Sequence, residues 1–294
     1  MRVLIFGKTG QVARELARAR WPQHVTLLQL GRSECDLDNP ERAREAIIEA
    51  RPRIVVNAAA YTAVDSAETE PERATRINCD APEAMASACV TTNAALIHLS
   101  TDYVFDGDKA GAYLEQDCIA PLSIYGRSKA DGEIAVRESL QQHVILRTSW
   151  VFASQGNNFV RTMLRLGDQR PELRIVDDQR GAPTAARDIA EAIVSIVLAI
   201  GTGKAVWGTF HFTGSEPTTW YGFAQAIFAA SDQLAKLVPI TTADYKTAAR
   251  RPMNSVLDCG RILRDYGIPQ PSWRAALIGV LAEIRRDEPG TASQ

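Results

Sequence analysis

Val3-Leu4-Ile5-Phe6-Gly7-Lys8-Thr9-Gly10-Gln11-Val12-Ala13 is the stretch whose order decides the fold. Val3–Phe6 is apolar without alternation, as in a strand covered on both faces. The glycines at 7 and 10 interrupt it. Gln11–Arg20 then places Val12, Leu16 and Ala19 on one side at helical spacing. A buried strand turning through glycines into an amphipathic helix is the first half of a β-α-β unit.

Working outward, the same alternation repeats. Val25–Leu30, Ile54–Ala58, Ala94–Ser100 and Val144–Thr148 read as further strands, with helical segments such as Ala81–Val90 and Ser128–Ser139 between them. The predicted fold is α/β, a Rossmann-type doubly wound parallel sheet. Past residue 150 the alternation thins. Asn158–Leu166 and Ala186–Ala199 look helical, Arg174–Val176 and Phe210–Thr213 read as short strands, and helices follow at Thr219–Phe228 and Trp273–Ile284. Seven prolines, Pro239 among them, punctuate the stretch. The expected division is a dinucleotide-binding domain over 1–149, with 173–214 returning to it. A smaller, partly discontinuous C-terminal substrate domain takes 150–172 and 215–287, and 288–294 reads as a flexible tail.

Composition excludes several classes of function. Of 294 residues 46% are hydrophobic and 23% charged, and the net charge of −2 comes without a basic run. Nucleic acid and anionic membranes are therefore unsuited as partners. The cysteines at 35, 79, 89, 118 and 259 form no CxxC pair, so they read as reduced thiols. Met1-Arg2 runs straight into the first strand without a signal peptide, and the apolar stretch Ile189–Ile200 is too short to span a bilayer. A cytoplasmic location is expected.

In the opening loop Gly7 permits a tight turn, Gly10 lets backbone approach a pyrophosphate, and Ala13 lets helix pack on strand. The helix N-terminus adds N–H donors and positive partial charge. No Lys-Ser/Thr pair follows Gly10, so the loop is not of the Walker A type. The second strand ends Leu30-Gly31-Arg32-Ser33 with no acid to hold a ribose 2′-hydroxyl. Arg32 reads either as a solvated loop residue or as the partner of a 2′-phosphate, which favours NADPH with NADH tolerated.

Tyr125-Gly-Arg-Ser-Lys129 places a phenol and an ammonium four residues apart, on one face of a helix. Free tyrosine, with a pKa of about 10, is a poor acid near neutrality, and a neighbouring ammonium lowers it. Ser100 and Thr101 supply hydroxyls at the end of the fourth strand, where open α/β sheets bind ligands.

With these elements in order the chain resembles the extended short-chain dehydrogenase/reductase group. GKTGQV (7–12), VNAAAYTAVDSAE (56–68), STDYVFDG (100–107), RTSWVF (147–152), GNNFV (156–160), DDQRGAPT (177–184) and RPMNSVLD (251–258) narrow the resemblance to the dTDP-4-dehydrorhamnose reductase family. It implies NAD(P)H-dependent reduction of the C4 keto group of dTDP-4-dehydro-L-rhamnose to dTDP-L-rhamnose, the last step of dTDP-rhamnose synthesis for cell-surface polysaccharide such as lipopolysaccharide O-antigen.

The resemblance assigns the chemistry to Thr101, Tyr125 and Lys129. Beside the Gly7 turn and Arg32 read above, it places the cofactor along Gly10, Gln11 and Val12, with Asp36 and Leu37 near the adenine and Ala60, Tyr61 and Thr62 beside the diphosphate and nicotinamide ribose. Thr101, Asp102 and Trp150 would contact the sugar, Trp150 reading otherwise as a core aromatic. Asn158 and Arg251 would meet the nucleotide diphosphate, Arg251 reading otherwise as a solvated loop residue. Asp65 and Glu68 read as helix caps or surface charges.

Some members bind Mg2+ through glutamates at a dimer interface. Glu15 and Glu283 match two positions, but the third falls near Arg187, a cation that could pair with both carboxylates. Mg2+ is therefore left uncertain and a homodimer open. Two rivals remain: a related sugar-nucleotide epimerase or dehydratase, and a non-catalytic regulatory subunit resembling that of methionine adenosyltransferase. Dehydration lacks its second carboxylate, because Tyr103 follows Asp102.

Overall fold

The computed structural model describes residues 1–287, so the expected tail at 288–294 lies outside the described residues. Six strands form one sheet in the order Gly208–His211, His143–Thr148, Ala95–Thr101, Ile54–Asn57, Arg2–Phe6, Thr26–Leu30. Every neighbouring pair is parallel. The sheet is doubly wound, as the alternation predicts.

Its side chains show why. Val3 and Ile5 enter one buried core while Leu4 and Phe6 enter the other, and Ile97 and Leu96 divide the same way. Leu16 of the helix Gln11–Arg18 and Ile193 of Ala186–Gly201 cover the first face. Ile47 of Pro40–Ala50, Met85 of Ala81–Thr92 and Val136 of Ile124–Ser139 cover the second. Each such aliphatic side chain contributes roughly 1.5–3 kcal/mol relative to exposure. The chain steps to opposite sides of Arg2–Phe6 to make its neighbours Thr26–Leu30 and Ile54–Asn57. This reversal opens a crevice at the carboxyl ends of the strands.

A third core gathers Phe152, Val160, Phe223, Trp273 and Leu277 from the helices Phe159–Gln169, Trp220–Ser231 and Trp273–Asp287 and the loops beside them. Two placements differ from the expected division. Glu172–Val176 pairs with Lys236–Ile240 beside this third core rather than joining the central sheet. It buries alternate residues on one face at its start, which suits a small ribbon and not a doubly covered sheet. Ile262 and Ile268, expected in the second domain, pack into the sheet's first core. The strand Lys236–Ile240 escapes sequence reading because Pro239 signals a break, yet a two-stranded ribbon tolerates proline. Among the described residues no helix is long and apolar enough to cross a membrane.

Candidate active site

A cavity of about 800 Å3 runs along the crevice, from the glycine loop to the end of the strand Ala95–Thr101. Gly7 has φ +107, and a Cβ there would lie 3.1 Å from the Ala58 carbonyl, so the turn requires glycine. Gly10 caps the helix Gln11–Arg18 without any side-chain hydrogen bond, and Gly10, Gln11 and Val12 all line the cavity. Arg32, Asp36 and Leu37 line its outer end, Ala60 and Thr62 its floor.

Glu34 folds back across that outer end. It accepts from Lys8 Nζ at 2.8 Å, Ser33 Oγ at 2.9 Å and the Gly31 amide at 2.9 Å. These donors, Lys8 first, hold its carboxyl down to about 2. Sequence reading overlooked the pair because nothing in it brings residue 34 back to residue 8. Tyr61 is a correction. It does not line the cavity; its phenol donates to Glu70 at 2.5 Å, and Asn78 Oδ1 accepts from its amide at 2.9 Å. Its ring packs into the second core instead.

At the inner end Thr101, Asp102, Tyr125 and Lys129 share one wall. Thr101 closes its strand, its hydroxyl donating to Asp102 Oδ1 at 3.0 Å and accepting from the Tyr103 amide at 3.2 Å. Burial pushes Asp102 up to about 6, against the hydroxyls of Ser255 and Thr101. The helix carrying Tyr125 and Lys129 begins at Ile124, four residues before the expected Ser128. Ser123 caps it, and Glu68 accepts from the Ile124 amide at 2.9 Å. Glu68 thus serves as a cap from another element.

The phenol of Tyr125 is pushed up to about 12 by burial; a hydrogen bond with Thr101 opposes this and Asp102 adds to it. Burial thus sets the resting state of the phenol, against the lowering expected from spacing. Lys129 Nζ donates to the Leu99 carbonyl at 2.7 Å, and burial holds its ammonium down to about 8 against Glu133. Ser100, the other hydroxyl at the strand end, is occupied: it donates to Glu133 Oε1 at 2.6 Å. Glu133 in turn is bound by Arg147 at 2.6 and 2.8 Å, both residues fully buried.

Trp150 stacks on Trp220 with ring centroids 3.6 Å apart and planes 8° from parallel, and both line the cavity. A Cβ at Gly181 would sit 2.5 Å from the Trp150 indole, so that glycine makes room for the ring. No motif marks Trp220; as the first residue of a helix it carries no sequence signal.

Two expected diphosphate ligands lie elsewhere. Asn158 caps the helix Phe159–Gln169 and donates to Gln11 Oε1 at 3.0 Å and the Ala153 carbonyl at 2.9 Å. Its neighbours Gly156 and Asn157 line the cavity in its place. Arg251 pairs with Asp65 at 2.7 and 3.2 Å, so its charge is already matched outside the cavity.

The cavity suits a dinucleotide. Its glycine loop leaves backbone N–H groups uncapped, and two buried polar atoms in its wall, Asp102 Oδ2 and Thr148 Oγ1, have no hydrogen-bond partner among the described residues. The glutamate set suits a metal poorly. Glu15 and Glu283 line a separate 180 Å3 cavity together with Arg187. Arg187 bonds Glu191 at 3.1 Å rather than the two expected carboxylates, and Glu283 accepts from Ser154 at 2.8 Å. Among the described residues no group of three or more His, Cys, Asp or Glu could hold a metal ion.

Comparison with known proteins gives the family. The family model described as RmlD substrate binding domain matches residues 1–286. A dTDP-4-dehydrorhamnose reductase of Sinorhizobium fredii is 44% identical over 93% of this chain and 94% of its own. This chain belongs to the dTDP-4-dehydrorhamnose reductase family. The crystal structure of the Clostridium acetobutylicum member superposes with a TM-score of 0.92 at 33% identity, covering 97% of this chain and all (100%) of that one. The Bacillus anthracis member, solved in complex with NADP, has a TM-score of 0.89 at 36% identity, covering 96% and 99%. The chain is an oxidoreductase of this family, and the resemblance carried by its sequence motifs holds over nearly its whole length.

Proposed function

We propose that this chain uses NADPH to reduce the C4 carbonyl of dTDP-4-dehydro-L-rhamnose, giving dTDP-L-rhamnose for cell-surface polysaccharide, in the cytoplasm. The observation that carries this reading is the single cavity wall joining Thr101, Tyr125 and Lys129 to the glycine loop. When bound, the reduced nicotinamide supplies the hydride. Gly7, Gly10, Gln11 and Val12 would hold its diphosphate, and Arg32 would meet a 2′-phosphate.

The residues of the chain then manage the oxygen. Tyr125 gives its hydroxyl proton to the forming alkoxide, and a solvent proton restores the phenol. Its raised range keeps the proton on the phenol until an alkoxide, a stronger base, is there to take it. Thr101 adds a hydrogen bond to the same oxygen, and Lys129 stabilises the phenolate left behind and holds the ribose hydroxyls. The stacked Trp150 and Trp220 form a flat apolar wall for the sugar.

The test is NADPH oxidation with dTDP-4-dehydro-L-rhamnose beside other 4-keto nucleotide sugars. A kcat/KM well above the others for this substrate is expected, and no turnover with any of them would overturn the reading. An epimerase, by contrast, would retain NAD+ through purification.

A further inference from the structure

Beneath Lys129 lies His98, fully buried on the strand Ala95–Thr101. Its Nε2 is 3.3 Å from Lys129 Nζ, and its Nδ1 is 3.1 Å from Nδ2 of Asn57, a buried residue on the adjacent strand. Asn57 Oδ1 accepts from the Ala59 amide at 3.2 Å. That bond fixes which way the side-chain amide faces: the NH2 group points at His98, and an NH2 group only donates. Nδ1 of His98 is then the bare, accepting nitrogen, and the ring's one proton sits on Nε2. This proton points at Lys129.

An Nε2–H can donate to the lone pair of an amine but not to an ammonium, which has donors only. With Nζ also donating to the Leu99 carbonyl at 2.7 Å, the hydrogen-bond pattern around it is that of a neutral amine. Reversing the Asn57 amide would set two N–H groups against each other at Ala59, so the pattern is held from the backbone upward. The charges nearby are accounted for. Glu133, on the same helix, favours the ammonium, but it is shared with Arg147 at 2.6 Å and Arg137 at 3.1 Å and with the Ser100 hydroxyl. On the adjoining strand His143 acts on His98, on the strand's far end Asp102 pairs with Thr101, and Tyr125 is one turn back on the helix. Burial above all pushes His98 well below the ordinary histidine range, so the ring carries no second proton.

We propose that the Asn57–His98 pair, its tautomer fixed by the Ala59 amide, holds Lys129 through its amine form, so that protonating Lys129 releases the bond to His98. His98 is thereby a positioning residue that sets the pH range over which Lys129 carries charge. The proposal rests on the role given to Lys129 above, where the ammonium is the form that supports reduction. It predicts that turnover falls as pH rises past the ionisation of Lys129, and that His98 decides where that fall lies.

The first arm is NMR of the full protein with 15N-labelled histidine, without added nucleotide; the chain has only 4 histidines to assign. His98 is expected as the Nε2–H tautomer, remaining singly protonated while its Nε2 signal moves with the Lys129 ionisation. An Nδ1–H tautomer, or a ring that takes up a second proton at about 6.5 like a free histidine, overturns the proposal. The second arm is H98Q, whose amide oxygen can turn to accept from an ammonium. The basic limb of kcat/KM should move up by roughly half to one pH unit, and an unmoved limb in folded protein overturns the positioning role. If H98Q does not fold, the wild-type spectra decide alone. Failure of the underlying reading looks different: Lys129→Met would keep its turnover, whatever tautomer His98 shows.

Discussion

The hydroxyl of Thr101 donates to Oδ1 of Asp102 at 3.0 Å, while Oδ2 of the same carboxylate is buried with no hydrogen-bond partner among the described residues. A carboxylate so placed is costly to ionise, and it holds the only proton that Thr101 has to offer. Thr101 must turn from Asp102 before it can donate to a substrate oxygen.

The charge on Asp102 therefore works against stability. Its pKa rises from 3.8 unfolded to about 6 folded, so the stabilisation from its protonated form is full below 3.8 and is lost as pH rises through about 6. Asp102→Asn removes the ionisation and should stabilise the protein at about pH 8 by on the order of 1–3 kcal/mol. That gain should fade as the pH is lowered through the range of the folded group. Thermal melts of both proteins across this range check it; a difference independent of pH rejects the account.

Tyr125→Phe keeps the ring and removes the proton. Turnover should fall roughly 10²–10⁴-fold while NADPH still binds. Thr101→Val should be milder, since Tyr125 continues to serve the alkoxide. Lys129→Met should reduce turnover and weaken NADPH binding together, because one side chain serves phenol and ribose. Near-normal turnover in folded Tyr125→Phe would falsify the proton-donor assignment.

Cofactor choice rests on the outer end of the cavity. Arg32→Ala should reduce kcat/KM for NADPH by roughly 10–100-fold, as expected for one charge-assisted contact, and leave NADH nearly unchanged. Glu34→Gln acts in the opposite direction, because it leaves the Lys8 ammonium, now bound at 2.8 Å, without its anion beside the same strand end. The KM for NADPH should fall in that variant. Steady-state kinetics with both cofactors test the pair, and equal losses for NADH and NADPH on Arg32→Ala count against it.

Trp220 lines the site and stacks on Trp150. Trp220→Ala removes a stacked partner worth about 0.5–1.5 kcal/mol, so the KM for the nucleotide sugar should rise roughly 2–10-fold. NADPH affinity, measured by fluorescence titration, should not change. A variant that loses both affinities would mean that the ring pair supports the fold and not the sugar.

Much of this protein was legible in its sequence for a local reason. Uninterrupted apolar runs at Val3–Phe6 and Ile54–Ala58 report strands buried on both faces, and Gly7 and Gly10 mark a turn that few other residues could make. The fourth strand and the following helix deliver Thr101, Tyr125 and Lys129 to one wall; motif order pointed to Tyr125 and Lys129 and to a hydroxyl at Ser100 or Thr101, and the family resemblance chose Thr101. The fold and the candidate site residues are thus written in contiguous segments, each readable without its neighbours.

What only the tertiary structure decided depends on distant partners. Asn158 and Arg251 read as ligands until their hydrogen-bond partners were placed: Asn158 caps its own helix, and Arg251 meets Asp65, 186 positions away. Glu34 returns to Lys8, Trp220 stacks on Trp150, and His98 comes to rest between Asn57 and Lys129. The state of Tyr125 changed most. Spacing placed an ammonium beside it, whereas in the folded chain Lys129 is bound to the Leu99 carbonyl and burial governs both groups. Periodicity encodes which face of an element is buried, but a side chain's charge is set by everything within a few ångströms of it, and the fold assembles those neighbours from separate stretches of chain.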